Sequence, residues 1–562
     1  MQNKLLINRI CEKYFSKFHT KTSFLTAVFV SIILLVAFLL RIYNLGDLSL
    51  WWDELLTGTY VTQILEIGIP VSPSGFEYYW RGIAYHYVVS IFAFLFGTDE
   101  FWLRFPSVLF GVGIIAVSYR MAKRIDPQIA ILTALILCFS TYNIEYSQFA
   151  RFYAMNAFLF MINIEFFWLG YYQNLRFYKI LSPLIFILML LTVQLGGLFL
   201  AVVAFFAIER TTNYVLNRKN HIDFYIKNLI IVACIFLAIY IVNNPLDLLG
   251  IYAPNPYDMQ SQVETDGGVK YLIPGIPIPQ WSNVLIPFFS TYYFPSIFAI
   301  FGVLYTIFSF VQRKTYLDIN LNYKYYFFGT VLVSYLLFEL ANPFQNEPRL
   351  FFVFEPLFII STLYGFLLVV RRLQPYVARL SLILLAILMI LVPSPLFSER
   401  LTKGYGDDVS DDPFRSTWAQ SHRSDVKSIS QYLNSNINSN DIWINTMEPA
   451  YGYTKRNPEY MLNQNYQWRS MWREEIFTDE SGNYIDIRYG AILINSAEEM
   501  ANIIALNPGR NVWITVSGAN LKTLYTTHLR DDTRAFIAKH ADKIVYVGPD
   551  STSLVLLFRK SI

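Results

Sequence analysis

Asp53 and Glu54 stand side by side in LSLWWDELL (residues 48–56), just past a long apolar run. A carboxylate there can take a proton from a hydroxyl or an amine, or help to hold a divalent cation. Adjacent side chains on a helix diverge by about 100°. Both acids therefore do not aim at one atom: one faces a cavity, and the other caps, pairs or binds metal. Position alone favours a plainer reading, two solvated loop acids beside the interfacial tryptophans Trp51 and Trp52.

A second polar stretch is TYNIEYSQFARFYAM (residues 141–155), with Glu145, Gln148, Arg151 and Tyr153 in apolar surroundings. Glu145, Gln148 and Arg151 follow spacings of three, which one side of a helical turn can share. A third is ANPFQNEPRLFFVFEP (residues 341–356), where Arg349 opens an apolar run and Glu355 lies about two turns inside it. Arg41, Arg81, Arg104, Arg151 and Arg349 all flank apolar segments. The planar guanidinium fork suits phosphate oxygens. The alternative is that these arginines snorkel to lipid headgroups.

The elements that carry these residues are membrane spans. The chain has 562 residues, 54% hydrophobic and only 15% charged. FLTAVFVSIILLVAFLL (24–40) has no charge over nearly a bilayer's thickness. It is too long for a signal-peptide core, and no small-residue cleavage site follows, so it reads as an uncleaved span. About eleven spans are expected, at 24–43, 104–120, 128–143, 150–171, 179–193, 195–210, 226–243, 285–311, 325–341, 349–370 and 376–394. The segment 82–97 is read as a helix lying along the membrane surface. On that reading twenty basic residues, before residue 24 and near 120–124, 172–179, 210–227, 312–324 and 371–379, share the cytoplasmic side. If 82–97 spans, fifteen of them move outside. The predicted architecture is a polytopic α-helical membrane domain, 1–394, with its N-terminus in the cytoplasm. Its outer loops are 44–103, 143–150, 244–284 and 342–348.

The tail, 395–562, is polar and is placed outside, as a small α/β domain. VKSISQYL, SAEEMANIIAL and TRAFIAKH read as helices; DIWIN, NVWITVS, KIVYVG and SLVLLFR read as strands. That alternation argues for a largely parallel sheet. No glycine-rich phosphate loop follows a strand, so a scaffolding or acceptor-docking role is expected. The three cysteines, Cys11, Cys138 and Cys234, all precede the tail, so no disulfide holds it and no cysteine zinc site forms.

RIYNLGDLSLWWDE, DEFWLRFPSVLFGVGIIAVSYRMAKR and YSQFARFYAM together resemble the GT-C membrane glycosyltransferases, nearest to the protein O-mannosyltransferases and the aminoarabinose transferases acting on lipid A. The likeness covers 1–210 in motifs, the later spans in topology, and the tail weakly. It implies transfer of a sugar from a polyprenyl-phosphate carrier at the outer face of the inner (plasma) membrane. It implies Asp53 as catalytic base with Glu54 beside it. The family's Arg-Leu-Pro-Ser position falls on Arg104, Phe105, Pro106 and Ser107, and its Ser-x-Glu-Ala-Arg-x-Tyr position on Ser147 to Tyr153. Two departures stand out. Phe149 replaces an acid, for which Glu145 can substitute, and YYWRGIAYHY replaces a His-Pro-Pro or Lys-Pro-Pro turn.

A sugar on phosphate already has a good leaving group, so one base suffices, unlike the paired carboxylates of glycosidases. Attack opposite the phosphate inverts the anomeric centre. The candidate catalytic residues are Asp53, Glu54 and Glu145. Arg151, Arg349, Arg104, Arg81 and Arg41 are the candidates for the donor phosphate, and Gln148, Tyr153 and His86 for substrate. No cofactor is required; a divalent ion on Glu54 and Glu145 stays open. The expected partners are a polyprenyl-phosphate sugar, a lipid, glycan or protein acceptor, and membrane lipid, with no nucleic acid. The Pro- and Gly-rich loop 244–284 is predicted to close over the site. The competing readings are a flippase for lipid-linked sugars, which predicts midplane charges and an inverted repeat, and a non-catalytic scaffold.

Overall fold

The computed structural model describes residues 24–50, 52–75, 78–79, 81–217, 271–273, 276–277, 293–313, 319–341, 351–391, 425–446, 453–454, 456–462, 476–478, 481–486, 489–494, 496–516, 531–550 and 553–558. Apolar helices make up the first part: α1 (Phe24–Ile42), α2 (Trp52–Ile67), α3 (Ile83–Phe96), α4 (Glu100–Ile125), α5 (Pro127–Phe139), α6 (Thr141–Ser147), α7 (Tyr153–Phe167), α8 (Arg176–Thr192) and α9 (Leu200–Asn217). A short hairpin, β1 (Tyr271–Ile273) and β2 (Ile276–Pro277), precedes α10 (Tyr293–Arg313), α11 (Ile319–Ala341), α12 (Glu355–Val370) and α13 (Pro375–Leu391).

Helices cover every expected span except 226–243, which lies outside the described residues, as do loop 342–348 and most of loop 244–284. Among the described residues four helices are long and apolar enough to cross a membrane, α1, α4, α7 with its π-helical extension to Tyr172, and α12 with its 3-10 lead-in. A fifth qualifies if α5 and α6 are one broken span. The segment 82–97, expected as a helix along the membrane surface, is α3, 14 residues long and short for a span. It packs on α2 and α4.

Local sequence explains the breaks that matter. Asp126 ends α4 and caps α5 through the Gln128 N–H at 3.0 Å, with Pro127 at the first helical position. Ser140 bends the chain by 60° between α5 and α6 and caps α6 through the Asn143 N–H. A bend frees backbone carbonyls, and Arg41 of α1 takes them. Its guanidinium donates to Leu137 O at 3.0 Å and Cys138 O at 3.4 Å. Glu355 of α12 accepts from Asn143 Nδ2 at 3.1 Å and from Ser140 Oγ. This buried polar knot fixes α1, the α5–α6 break and α12 to one another. On the other side α10 and α12 touch backbone to backbone: a Cβ at Gly365 would stand 1.9 Å from Phe298 O.

The tail contains α14 (Val426–Asn436), β3 (Ile442–Asn445), β4 (Tyr460–Leu462), β5 (Ile476–Thr478), β6 (Tyr484–Asp486), β7 (Ile492–Ile494), α15 (Ala497–Leu506), β8 (Val512–Val516), α16 (Asp531–His540), β9 (Lys543–Val547) and β10 (Leu554–Phe558). The strands form one sheet in the order β5-β6-β7-β4-β3-β8-β10-β9. It is mixed rather than largely parallel. The β7-β4-β3-β8 centre is parallel, and both edges are antiparallel hairpin-like additions. Alternation along the strands buries both faces. Ile442, Ile444, Ile514 and Leu556 meet Met500, Ile503 and Ile537 of α15 and α16 on one side. Trp443, Trp513 and Val555 meet Ile429 and Leu433 of α14 on the other.

Candidate active site

The chain between α1 and α2 has no regular structure from Leu45 to Leu50, so its carbonyls need outside donors. Arg104, near the start of α4, supplies them. It donates to Leu45 O at 2.9 Å, Leu48 O at 2.8 Å and Ser49 O at 2.9 Å. Its Nε and Nη2 also grip Glu54 Oε1 and Oε2, each at 2.8 Å. Both partners are buried, with side-chain exposures of 1% and 0%. A buried charge pair holds only when its remaining hydrogen-bonding capacity is met. Here all five guanidinium N–H groups are spent, and Glu54 Oε1 also accepts the Ala150 N–H at 2.8 Å.

That last bond ties the first turn of α2 to the junction between α6 and α7. Arg151 extends the tie: its Nη1 donates to Asp53 O at 3.2 Å, and its Nη2 lies 3.7 Å from Asp53 Oδ2. The two adjacent acids thus diverge as helical geometry requires. Glu54 turns inward to Arg104. Asp53 keeps 14% of its side chain exposed, beside Arg151. Arg151 itself is buried, and among the described residues its Nε has no hydrogen-bond partner.

Phe152 is the hub of this region. Arg151 lies 4.8 Å from its ring centroid and Arg81 lies 5.7 Å from it. Gly82 makes the approach possible: its φ is +84°, and a Cβ there would stand 2.7 Å from Phe152 Cδ1. The same Gly82 faces the His86 ring, which is fully buried and packs on Tyr79 at 5.5 Å and Tyr60 at 6.2 Å. Among the described residues neither His86 nitrogen has a hydrogen-bond partner.

Of the residues singled out from sequence, the structure brings Asp53, Arg151, Arg81 and His86 into one region. Tyr153 follows Phe152 and is buried against it and against Tyr146. Gln148 is also buried, with Nε2 donating to Arg41 O and Tyr43 O, each at 3.0 Å, so it ties down the end of α1. Glu145 is buried in α6. Arg41 serves the polar knot instead of a ligand: besides the two α5 carbonyls it donates to Ala37 O, Asn143 Oδ1 and Ser147 Oγ, using all five N–H groups. Neither Arg41 nor Arg104 retains a donor for a phosphate in this arrangement. Arg349 lies outside the described residues.

The divalent ion left open on Glu54 and Glu145 finds no fit on Glu54, whose two oxygens are both held by Arg104. Among the described residues no three His, Cys, Asp or Glu side chains lie close enough together to share a metal ion.

No protein-family model matches the sequence, and no curated protein sequence does. Solved structures do match. ArnT from Cupriavidus metallidurans in the apo state aligns over 96% of this chain and 99% of its own, with a TM-score of 0.54 at 13% identity. The same ArnT bound to undecaprenyl phosphate aligns over 95% of this chain and 98% of its own, again with a TM-score of 0.54 at 13% identity. The chain has the ArnT fold. ArnT is a lipid A aminoarabinose transferase with GT-C architecture, the architecture implied by the three sequence motifs. With its apolar helices, the ArnT fold makes this chain a membrane protein.

Within the ArnT fold several residues matter that the sequence did not single out for chemistry. Phe152 and Tyr79 shape the Arg151 region. Tyr85 Oη and Ser107 Oγ pair at 2.7 Å, and Ser107 donates to Arg151 O at 3.3 Å. Gly82, before an apolar helix and in YYWRGIAYHY, carries a local signal, because glycine supplies positive φ, and Ser107 and Phe152 lie within the two motif stretches. The others became visible only once α3, α4 and the α6–α7 junction were brought together.

Proposed function

We propose that this chain transfers a sugar from a polyprenyl-phosphate donor to a hydroxyl or amine acceptor at the outer face of the inner membrane. The observation that carries the proposal is the Asp53–Arg151 pair, a partly exposed carboxylate 3.7 Å from a buried guanidinium whose Nε has no partner among the described residues. The motifs around both residues and an ArnT structure bound to undecaprenyl phosphate support it. Asp53 takes the proton of the acceptor as its oxygen or nitrogen attacks the anomeric carbon. The bond from that carbon to the phosphate oxygen breaks, and its electron pair leaves on the polyprenyl phosphate. Attack and departure are on opposite sides, so the configuration inverts. Arg151 stabilises the charge on the departing phosphate, as fixed donors aimed at developing charge do, with Arg81 across the Phe152 ring and Arg349 as further candidates.

Glu54 and Arg104 do not touch substrate on this reading. They hold the turn that presents Asp53, and no step passes through a metal. In the proposed topology the N-terminus is cytoplasmic and the tail, 395–562, is extracytoplasmic. The test is transfer from a labelled polyprenyl-phosphate sugar by the purified chain. Asp53→Asn is expected to lower turnover by about a hundred- to ten-thousandfold, the usual worth of general base assistance, with donor binding kept. Normal turnover in Asp53→Asn would sink the assignment of the base. Absence of transfer with any polyprenyl-phosphate sugar and of binding to the carrier would sink the function.

A further inference from the structure

We propose that the tail is a working part of the site: Asp425, Lys427 and Tyr453 are positioning residues that clamp the strap Leu45–Leu50 and thereby set the placement of Asp53. The inference rests on the reading of Asp53 given above. Arg104 holds the strap from one side by its carbonyls. The tail holds the other side. Ser49 Oγ donates to Asp425 Oδ1 at 2.9 Å, and the Lys427 N–H donates to Ser49 Oγ at 3.3 Å. The Leu50 N–H donates to Tyr453 Oη at 3.1 Å. Asp53 follows three residues later, in the first turn of α2.

Glu100 closes the clamp. It lies one turn before Arg104 in α4 and is 3% exposed. Tyr453 Oη donates to its Oε1 at 2.6 Å, and Lys427 Nζ lies 2.9 Å from Oε1 and 3.0 Å from Oε2. One turn of α4 therefore offers Arg104 to the strap and Glu100 to the tail. The buried carboxylate draws these partners from the tail, and a buried charge without them is costly. Burial and the neighbouring Glu100 hold the Tyr453 phenol well above its usual range, so it remains a donor.

The tail side of the clamp is itself anchored. Asp425 caps α14 through the Ser428 N–H at 3.0 Å, and its own N–H donates to Asp550 Oδ2 at 2.8 Å. Ser49 and Asp425 are each 1% exposed, and Val426 joins the core formed by the membrane helices. A loosely resting lid would meet the membrane part through exposed rims. The contact between Ser49 and Asp425 is instead buried, the others are part-buried, those to Asp425 and Glu100 are charge-assisted, and together they join the strap that leads into α2 to the tail.

The test uses the full chain and two readouts, one independent of turnover. In Tyr453→Phe combined with Lys427→Gln, amide hydrogen exchange over residues 45–56 is expected to speed up about tenfold or more, the worth of a hydrogen bond to a charged partner. Exchange over residues 153–167 stays as in the wild type. Transfer loses kcat with little change in donor affinity. Tyr453→Phe alone, the milder variant, shows the same pattern to a smaller degree. Asp425→Asn, which keeps an acceptor for Ser49 and Ser428, is expected to behave like the wild type, while Asp425→Ala does not. Unchanged exchange over 45–56 in the double variant overturns the clamp, as does full kcat with accelerated exchange. A wild-type chain that shows no transfer removes the glycosyltransferase reading, while the exchange data still decide whether the tail holds the strap.

Discussion

The adjacent acids Asp53 and Glu54 are expected to fail in opposite ways when neutralised. Glu54 Oε1 accepts Arg104 Nε and the Ala150 N–H, and Oε2 accepts Arg104 Nη2, all at 2.8 Å. In Glu54→Gln the amide NH2 must face either Nη2 or the pair formed by Nε and Ala150 N. Each choice sets donor against donor, so at most two of the three bonds survive. The Arg104 guanidinium is also left buried without its counter-charge. Breaking a buried pair from one side costs about 3–5 kcal/mol, a large share of the roughly 5–15 kcal/mol by which domains are stable. The Asp53 carboxylate is partly exposed and lies 3.7 Å from Arg151 Nη2, so Asp53→Asn is expected to cost about 1 kcal/mol or less. The assay is thermal unfolding of both variants in detergent, alongside transfer and donor binding. Glu54→Gln is expected to unfold markedly earlier and Asp53→Asn to unfold normally with turnover lost. Glu54→Gln with wild-type stability would refute the structural role given to the Arg104 fork. Glu54→Gln that is stable and dead beside an active Asp53→Asn would move the base to Glu54.

Arg151→Ala is expected to raise the donor KM and to slow turnover, because on the proposed reading it faces a phosphate that is charged in both the ground and transition states; a pure kcat effect with unchanged donor binding would contradict this. Ser435 is exposed on α14, so Ser435→Cys in a chain lacking Cys11 and Cys234 is expected to react with an impermeant thiol reagent in intact cells; labelling only after lysis would reverse the proposed topology. Asp441 is a pH reporter for the tail sheet. Burial favours its acid form, but hydrogen bonds from Asn438, Trp513 and Asn511 outweigh this and hold it below its usual range. A depressed carboxylate contributes stability above its unfolded value and loses it as the pH falls through the folded one. The stability advantage of wild type over Asp441→Asn, read from tryptophan fluorescence of the full chain, is therefore expected to be full above about pH 4 and to shrink below it; an advantage that persists to lower pH would show that the charge is not its source.

The helices and four tail strands, β3, β8, β9 and β10, were legible in the sequence because their signals are local, whereas the three-residue strands β4 to β7 were not read. Unbroken apolar length marks a membrane helix whatever surrounds it, and period-two runs such as NVWITVS mark a strand. The 60° break at Ser140 fell inside the expected span 128–143 and most of α6 in the expected loop 143–150, since a Ser between apolar runs carries no strong breaker signal. The sheet was expected to be largely parallel, but its antiparallel edges involve β5, β6, β9 and β10, whose direction a single-strand pattern does not give. The motifs also marked Asp53, Glu54 and Arg151 as candidates, because residue type and spacing are written in one dimension.

What the sequence left open was the division of labour among like residues. Asp53 and Glu54 are neighbours with the same chemistry, and only the position of Arg104, fifty residues on, turns one inward and leaves the other beside Arg151. Arg41, Arg104 and Arg151 all flank apolar segments. Tertiary packing spends every donor of Arg41 on α1 and the α5–α6 region and every donor of Arg104 on the strap and Glu54, and among the described residues it leaves Arg151 Nε without a partner. The contact of Tyr453 and Lys427 with Glu100 joins residues more than 300 positions apart. Charge type and hydropathy are properties of single residues and short runs, so the sequence determined which groups could serve. Hydrogen-bond saturation and burial are properties of neighbours brought together by the fold, so the tertiary structure alone decided which groups remain to meet a ligand.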